Sequence, residues 1–182
     1  MTLRPGARRL GIVLACVVGI TAALTGCSSA GPNTPTGEVV SAVDCLAPNM
    51  RYFADYTVTP TPSPDPAHLP APEAGRTPPG FVPASAVLCS GDVVDGSFSV
   101  TERHLSGPMS ELRAALAVRS DAPTSGACSA DYEIVPELWI VDSSGDSVRM
   151  AWPVDGCGKT KPATQEALDR LDVSQTIVHT LS

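Results

Sequence analysis

The chain has 182 residues, 43% of them hydrophobic and 17% charged, with a formal net charge of −7. That length allows one domain plus extras, and its core must lean on Val, Leu, Ile and Ala, because aromatic residues make up only 4%. An acidic chain with no basic cluster is a poor fit to charge-driven binding of nucleic acid or anionic lipid.

The first 26 residues carry Arg4, Arg8 and Arg9 and no acid, so the rest of the chain has 9 basic against 19 acidic residues, a charge of −10. The uncharged apolar run Leu10–Leu24 follows. It is short for a membrane-spanning helix, which needs about 20 residues. A positive start, a short apolar run and small residues after it are the layout of a secretion signal. The run ends in Leu24-Thr25-Gly26-Cys27. These four residues resemble the lipobox of bacterial lipoproteins: Leu, a small or hydroxyl residue, Gly or Ala, then Cys. The resemblance implies cleavage before Cys27 and a diacylglycerol on its sulfur. It predicts a signal peptide over 1–26, a flexible tether over 27–42, and one extracytoplasmic domain over 43–182.

Residues 28–42 are mostly Ser, Gly, Pro, Thr and Ala with one acid, a composition suited to a spacer. Arg51–Val58 has the aromatic and β-branched content of a strand. Nine of the 18 prolines fall between 60 and 83, so the segment 59–83 reads as extended and solvated. Its Thr and Ser residues between prolines are candidate O-glycosylation sites. Ala84–Val94 and Ser97–Leu105 flank Asp95-Gly96, a type I′ hairpin signal. Ser106-Gly107-Pro108 opens a helix with the stripe Met109, Leu112 and Leu116, ending near Arg119-Ser120. Tyr132–Asp142 is predicted as a central strand and turns through Ser143–Asp146 into a strand carrying Val148, Met150 and Trp152 on one face. Pro162 starts a second helix with the stripe Ala163, Ala167, Leu168 and Leu171 and an i,i+4 pair of Glu166 with Arg170. Thr176–Leu181 closes the chain as a strand.

The predicted fold class is α+β: a small disulfide-linked domain of antiparallel hairpins with two helices on one face, in the order β-β-α-β-β-α-β. From residue 97 the order also matches a ferredoxin-like split βαβ, a second reading ranked below it.

Cys16 lies in the signal and Cys27 in the lipobox, which leaves Cys45, Cys89, Cys128 and Cys157. An even set in an oxidising compartment predicts two disulfides. A turn centred between Ser144 and Gly145 places Cys128 and Cys157 just beyond the open ends of one hairpin, on opposite strands. That pairs Cys128 with Cys157 and leaves Cys45 for Cys89. A metal site is disfavoured because there is no C-x-x-C and no nearby His.

Motifs for chemistry are sparse. Gly156-Cys157-Gly158-Lys159-Thr160 looks like the end of a P-loop, but the position that needs the first Gly holds Pro153. Asp142–Asp146 lacks the spacing of a calcium loop. There is no G-x-S-x-G, S-x-x-K or H-E-x-x-H. His68 reads as solvated; His104, beside Glu102, and His179 are the candidates for a general base. No cofactor and no metal are implied. The runs "FVPASAVLC" at 81–89, "LWIVDSSGDSVR" at 138–149 and "PVDGCGKT" at 153–160 resemble uncharacterised exported lipoproteins of actinobacteria, which implies no activity.

The function expected is a non-catalytic binding or accessory module, anchored to the outer face of the cell membrane by lipid on Cys27. It would contact an envelope polymer or another exported protein, and no nucleic acid. The alternatives are a small envelope hydrolase using His104 or His179, and a small-ligand carrier.

Overall fold

The computed structural model describes residues 34–55, 67–95 and 97–181. The elements in chain order are β1 (Val39–Val40), α1 (Arg51–Asp55), β2 (Pro83–Val94), β3 (Ser97–Ser106), α2 (Met109–Leu116), β4 (Glu137–Asp142), β5 (Ser147–Met150), α3 (Pro162–Leu168) and β6 (Asp172–Leu181). The strands form one sheet in the order β1-β5-β4-β2-β3-β6, and all neighbouring pairs are antiparallel. Among the described residues the fold is therefore α+β: a six-stranded antiparallel sheet with three short helices and two disulfides.

Two hairpins organise the sheet. β2 and β3 pair from Val94↔Ser97 to Ala86↔Leu105 around Asp95, whose φ of 51° is one that Asp tolerates better than most residues. β4 and β5 turn through Gly145 at φ 92°. The Asp142 carboxylate accepts the backbone N–H groups of Ser144 at 2.8 Å and Asp146 at 3.1 Å, so the acidic turn satisfies itself locally.

Alternation along the strands splits the core in two. On one face Ala86, Leu88, Leu105, Leu138, Ile140, Val148 and Met150 pack under α2 and α3. On the other, Val87, Cys89, Phe98, Val100 and Trp139 pack under Cys45, Ala47, Met50, Tyr52 and Phe53. β2 lies between β3 and β4, so those two strands, joined through α2, are not neighbours. A ferredoxin-like arrangement would place β5 between them, whereas here the intervening strand is β2, so this sheet is not of that type.

Several local expectations change, each for a visible reason. Arg51–Asp55 is a helix, not a strand. Tyr52 and Phe53 are both buried, at 2% and 6% exposure, which the two-residue alternation of a strand does not permit; the helical turn brings both rings against Phe98. Residues 56–58 lie outside the described residues. β4 begins at Glu137 instead of Tyr132, because Pro136 has no N–H to extend the ladder. α2 stops at Leu116, short of Arg119. In α3 the buried stripe runs through Thr164, not Ala163; with Ala167, Leu168 and Leu171 it completes the i, i+3, i+4, i+7 pattern. Arg170 lies beyond the end of α3 and pairs with Glu111 of α2, not with Glu166.

The N-terminal and proline-rich segments join the fold more closely than their composition suggests. Val39 and Val40 pair with Val148 and Ser147. The Gly37 N–H donates to Arg76 O and the Arg76 N–H to Pro35 O, both at 2.8 Å. Gly75 bonds β5 through Arg149 O and the Ala151 N–H. A Cβ on Gly75 would collide with the backbone of Gly37, so this crossing needs glycine. The outer edge of β5 is thus covered by β1 and by residues 75–76.

Cys45 bonds Cys89 and Cys128 bonds Cys157, with Cα–Cα distances of 5.5 and 5.6 Å, ordinary for disulfides. These are the pairings that hairpin register and cysteine parity lead to. The first closes 44 residues of chain across the described part of the second core. Replacing Cys45 and Cys89 together by alanine is expected to lower unfolding free energy by roughly 4 kcal/mol on chain-entropy grounds. Urea unfolding of the full-length chain checks this, and a change below about 1 kcal/mol would mean the bond does little to hold the 43–55 layer.

Candidate functional site

Among the described residues, Glu137 and Arg149 are the charged side chains buried in the sheet. They sit on β4 and β5 as diagonal neighbours on the second-core face, next to the Trp139↔Arg149 pair. Their side chains are only 5% and 7% exposed. Arg149 donates from Nε to Glu137 Oε2 at 3.0 Å and from Nη2 to Oε1 at 2.8 Å. This is the fork-on-fork geometry that makes an arginine–carboxylate pair strong. Arg149 Nη1 also donates to Pro72 O at 3.1 Å, and Glu137 Oε1 accepts the backbone N–H of Arg51 at 3.0 Å. One ion pair thereby joins β4, β5, the first residue of α1 and the proline-rich segment.

The pair forms part of the lining of an open cleft of about 420 Å³, a volume within the usual range for small-molecule sites. One wall is residues 129–136, which have no regular structure. They are held by the Cys128–Cys157 bond, by Lys159 on Asp131 at 3.0 Å, and by Glu133, which accepts the backbone N–H of Thr160 at 2.9 Å and its hydroxyl. The Asp131 carboxyl is held down at about 2, first by the Ser129 hydroxyl and then by Lys159. The sequence that resembles a P-loop end is the opposite lip. Lys159 and Cys157 both donate backbone N–H groups to Asp155 Oδ1, at 3.0 and 2.8 Å. The segment is a disulfide-closed turn with its lysine committed to Asp131.

Trp152, Val135 and Pro136 add apolar lining, and Arg51 reaches the cleft from α1. Tyr132 lines it at 71% exposure, and Ile134, two residues on, is 52% exposed. Tyr132 thus puts a large exposed ring on the cleft lining, and Ile134 stands exposed in the same wall segment without lining the cleft.

The histidines lie elsewhere. Glu102 and His104 share the second-core face of β3, with Oε1 2.6 Å from Nε2. His179 on β6 comes within 3.5 Å of Glu102 Oε2, without hydrogen-bond geometry. Among the described residues no hydroxyl or thiol bonds either ring, and neither histidine lines the cleft. His68, expected in solvent, instead bonds Asp44 through Nδ1 at 3.0 Å and is half-buried. Asp44 also takes the Leu46 N–H, so the contact ties the second half of the proline-rich segment to the layer below it. Among the described residues no group of three or more His, Cys, Asp or Glu is placed to hold a metal ion. Cys27 lies outside the described residues, as does the whole Leu10–Leu24 run; among the described residues no helix is long and apolar enough to cross a membrane.

Glu137 was not singled out in the sequence, though a signal was there. An acid and a base on strands that are apolar on both sides, in one hairpin, must find each other, because buried charges are paired. No protein-family model, no curated protein and no solved structure matches this chain.

Two expectations follow. Arg149→Met leaves Glu137 buried and unpaired and should cost about 3–5 kcal/mol, whereas Arg149→Met combined with Glu137→Leu should recover most of that loss. Urea unfolding of the two variants checks it; equal loss in both would mean the pair's partners, not its charge balance, dominate. The second concerns Tyr52, whose hydroxyl donates to Cys45 O. Burial, with Glu137 nearby, pushes its pKa far above the ordinary 10.0. The folded state keeps a proton that the unfolded state releases, so stability should fall as pH rises through about 10. Tyr52→Phe should flatten that fall in unfolding curves taken from pH 8 to 11.

Proposed function

We propose that this chain is a lipid-anchored, non-catalytic binding module on the extracytoplasmic face of the cell membrane. Its lipid would sit on Cys27, its signal peptide be residues 1–26, and its tether run to the folded part. The partner is an envelope polymer or another exported protein, seated against the cleft lip at Tyr132 and Ile134. The observation that carries the binding reading is the open cleft of about 420 Å³, lined in part by the exposed Tyr132 and by neither candidate histidine. Leu24-Thr25-Gly26-Cys27 supports the anchor. The two disulfides support an oxidising compartment. The cleft volume also favours a second reading, a carrier of a small ligand with a polar head and an apolar body, because charged Arg51 and apolar Trp152 line the same space.

The anchor is tested by fractionating cells that make Cys27→Ala. The wild type should sediment with membranes and the variant should be released or remain an uncleaved precursor; a variant that is processed and fully membrane-bound would overturn the lipid. The binding surface is tested by crosslinking in intact cells with Tyr132→Ala and Ile134→Ser together. Crosslinked partner should fall by at least roughly tenfold, the effect of about 1.4 kcal/mol, with anchoring unchanged. Undiminished crosslinking would move the partner away from this cleft.

A further inference from the structure

The two edges of the sheet are built differently. The β1 edge is a two-residue strand, Val39–Val40, and short edge strands are a common protection against unwanted pairing. At the other end β6 offers ten residues, Asp172–Leu181, paired among the described residues with β3 alone. Among the described residues no backbone group bonds its outer edge. It carries no Lys, Arg or Pro, the residues that usually blunt an edge. Val173 and Val178 stand 53% and 59% exposed.

The strand is complementary to itself. Val173 pairs with Leu105 and Val178 with Thr101, both on the α2/α3 face. Asp172 pairs with Ser106 and His179 with Val100, both on the other face. A bulge at Ser174, between Gln175↔His104 and Val173↔Leu105, shifts the facing pattern by one residue. Antiparallel pairing of two β6 strands about a two-fold axis through Thr176 sets Thr176 against Thr176 and Gln175 against Ile177, each on matching faces. Past the bulge, Val178 then meets Val173 of the other copy, and His179 meets its Asp172. Each exposed valine covers the other, and the strand's one acid meets its one histidine, twice by symmetry. Asp172 makes no ion pair among the described residues.

We infer that the outer edge of β6 docks a second copy of this chain, joining two six-stranded sheets into one continuous antiparallel sheet. An isologous contact of this kind closes on itself and gives a dimer, not a fibre. The main-chain ladder supplies the attraction, and the valine and Asp–His pairs set the register.

Thiol-to-thiol crosslinking with a short bismaleimide tests this in the full-length chain. Thr176→Cys, on the axis, should give a covalent homodimer, and so should Gln175→Cys beside it. Thr180→Cys, far from its own copy in this register, should give at least roughly tenfold less. Adding Val178→Lys to Thr176→Cys should cut the dimer by a similar factor. All the substituted positions are exposed, and intact Cys45–Cys89 and Cys128–Cys157 bonds serve as the folding control. No homodimer from either axial variant, equal yield from Thr180→Cys, or crosslinking only to a different protein would each overturn the inference.

Discussion

The Glu137–Arg149 pair is the constraint on which the second layer depends. A carboxylate and a guanidinium are brought out of water at the open end of a hairpin, at a desolvation cost of several kcal/mol per ion. That cost is offset only because every nearby group contributes. Arg149 gives two hydrogen bonds to Glu137 and one to Pro72 O, and Glu137 takes the N–H of Arg51. The acceptors and donors that satisfy the charges belong to α1 and to the proline-rich segment. Those pieces must sit where they do for the sheet to tolerate its own side chains, so the pair positions the layer as much as the layer buries the pair.

The cleft follows from this. Its lining includes the ion pair, while its lips are irregular chain that could not hold a shape unaided. The Cys128–Cys157 bond, Lys159 on Asp131, and Glu133 on Thr160 fix residues 129–136 against the 153–160 turn. The two disulfides thus divide the work. Cys45–Cys89 holds a layer on the sheet, and Cys128–Cys157 holds the wall of a candidate binding surface. The two sheet edges are separated by five strand spacings, roughly 24 Å. The chain therefore enters at β1, far from the edge at which a second copy would dock.

Sequence patterns carried much of this. Asp95-Gly96 and Ser143–Asp146 marked both hairpins, because turn chemistry is local and each needs a backbone conformation few residues adopt. Parity and hairpin register led to both disulfides. What could not be read was set by contacts distant in sequence. Arg51–Asp55 has strand-like composition, yet it is helical because two adjacent rings are buried against Phe98 and a bond from Cys45 holds the segment there. Proline richness suggested solvated chain over 59–83, but Gly75 and Arg76 find partners on Arg149 and Pro35, and Pro72 is needed by a buried guanidinium. The cleft was invisible for the same reason: its lining comes from α1, residue 74, the 129–136 wall, β4, β5 and the 151–160 turn. His104 and Glu102 were readable as neighbours, being two apart on one strand, but their distance from the cleft was not.

Joined through Glu137 and Arg149, the N-terminal layer and the sheet should behave as one cooperative unit. Native-state hydrogen exchange on the full-length chain measures this at named amides. The Arg51 N–H, bonded to Glu137, and the Gly75 N–H, bonded to Arg149 O, should exchange with the same opening free energy as the buried β4 amides of Leu138 and Ile140, as expected for a single cooperative unit. Rapid exchange at Arg51 and Gly75 while β4 stays protected would contradict it, and would make the second layer a loosely attached cover instead of part of the fold.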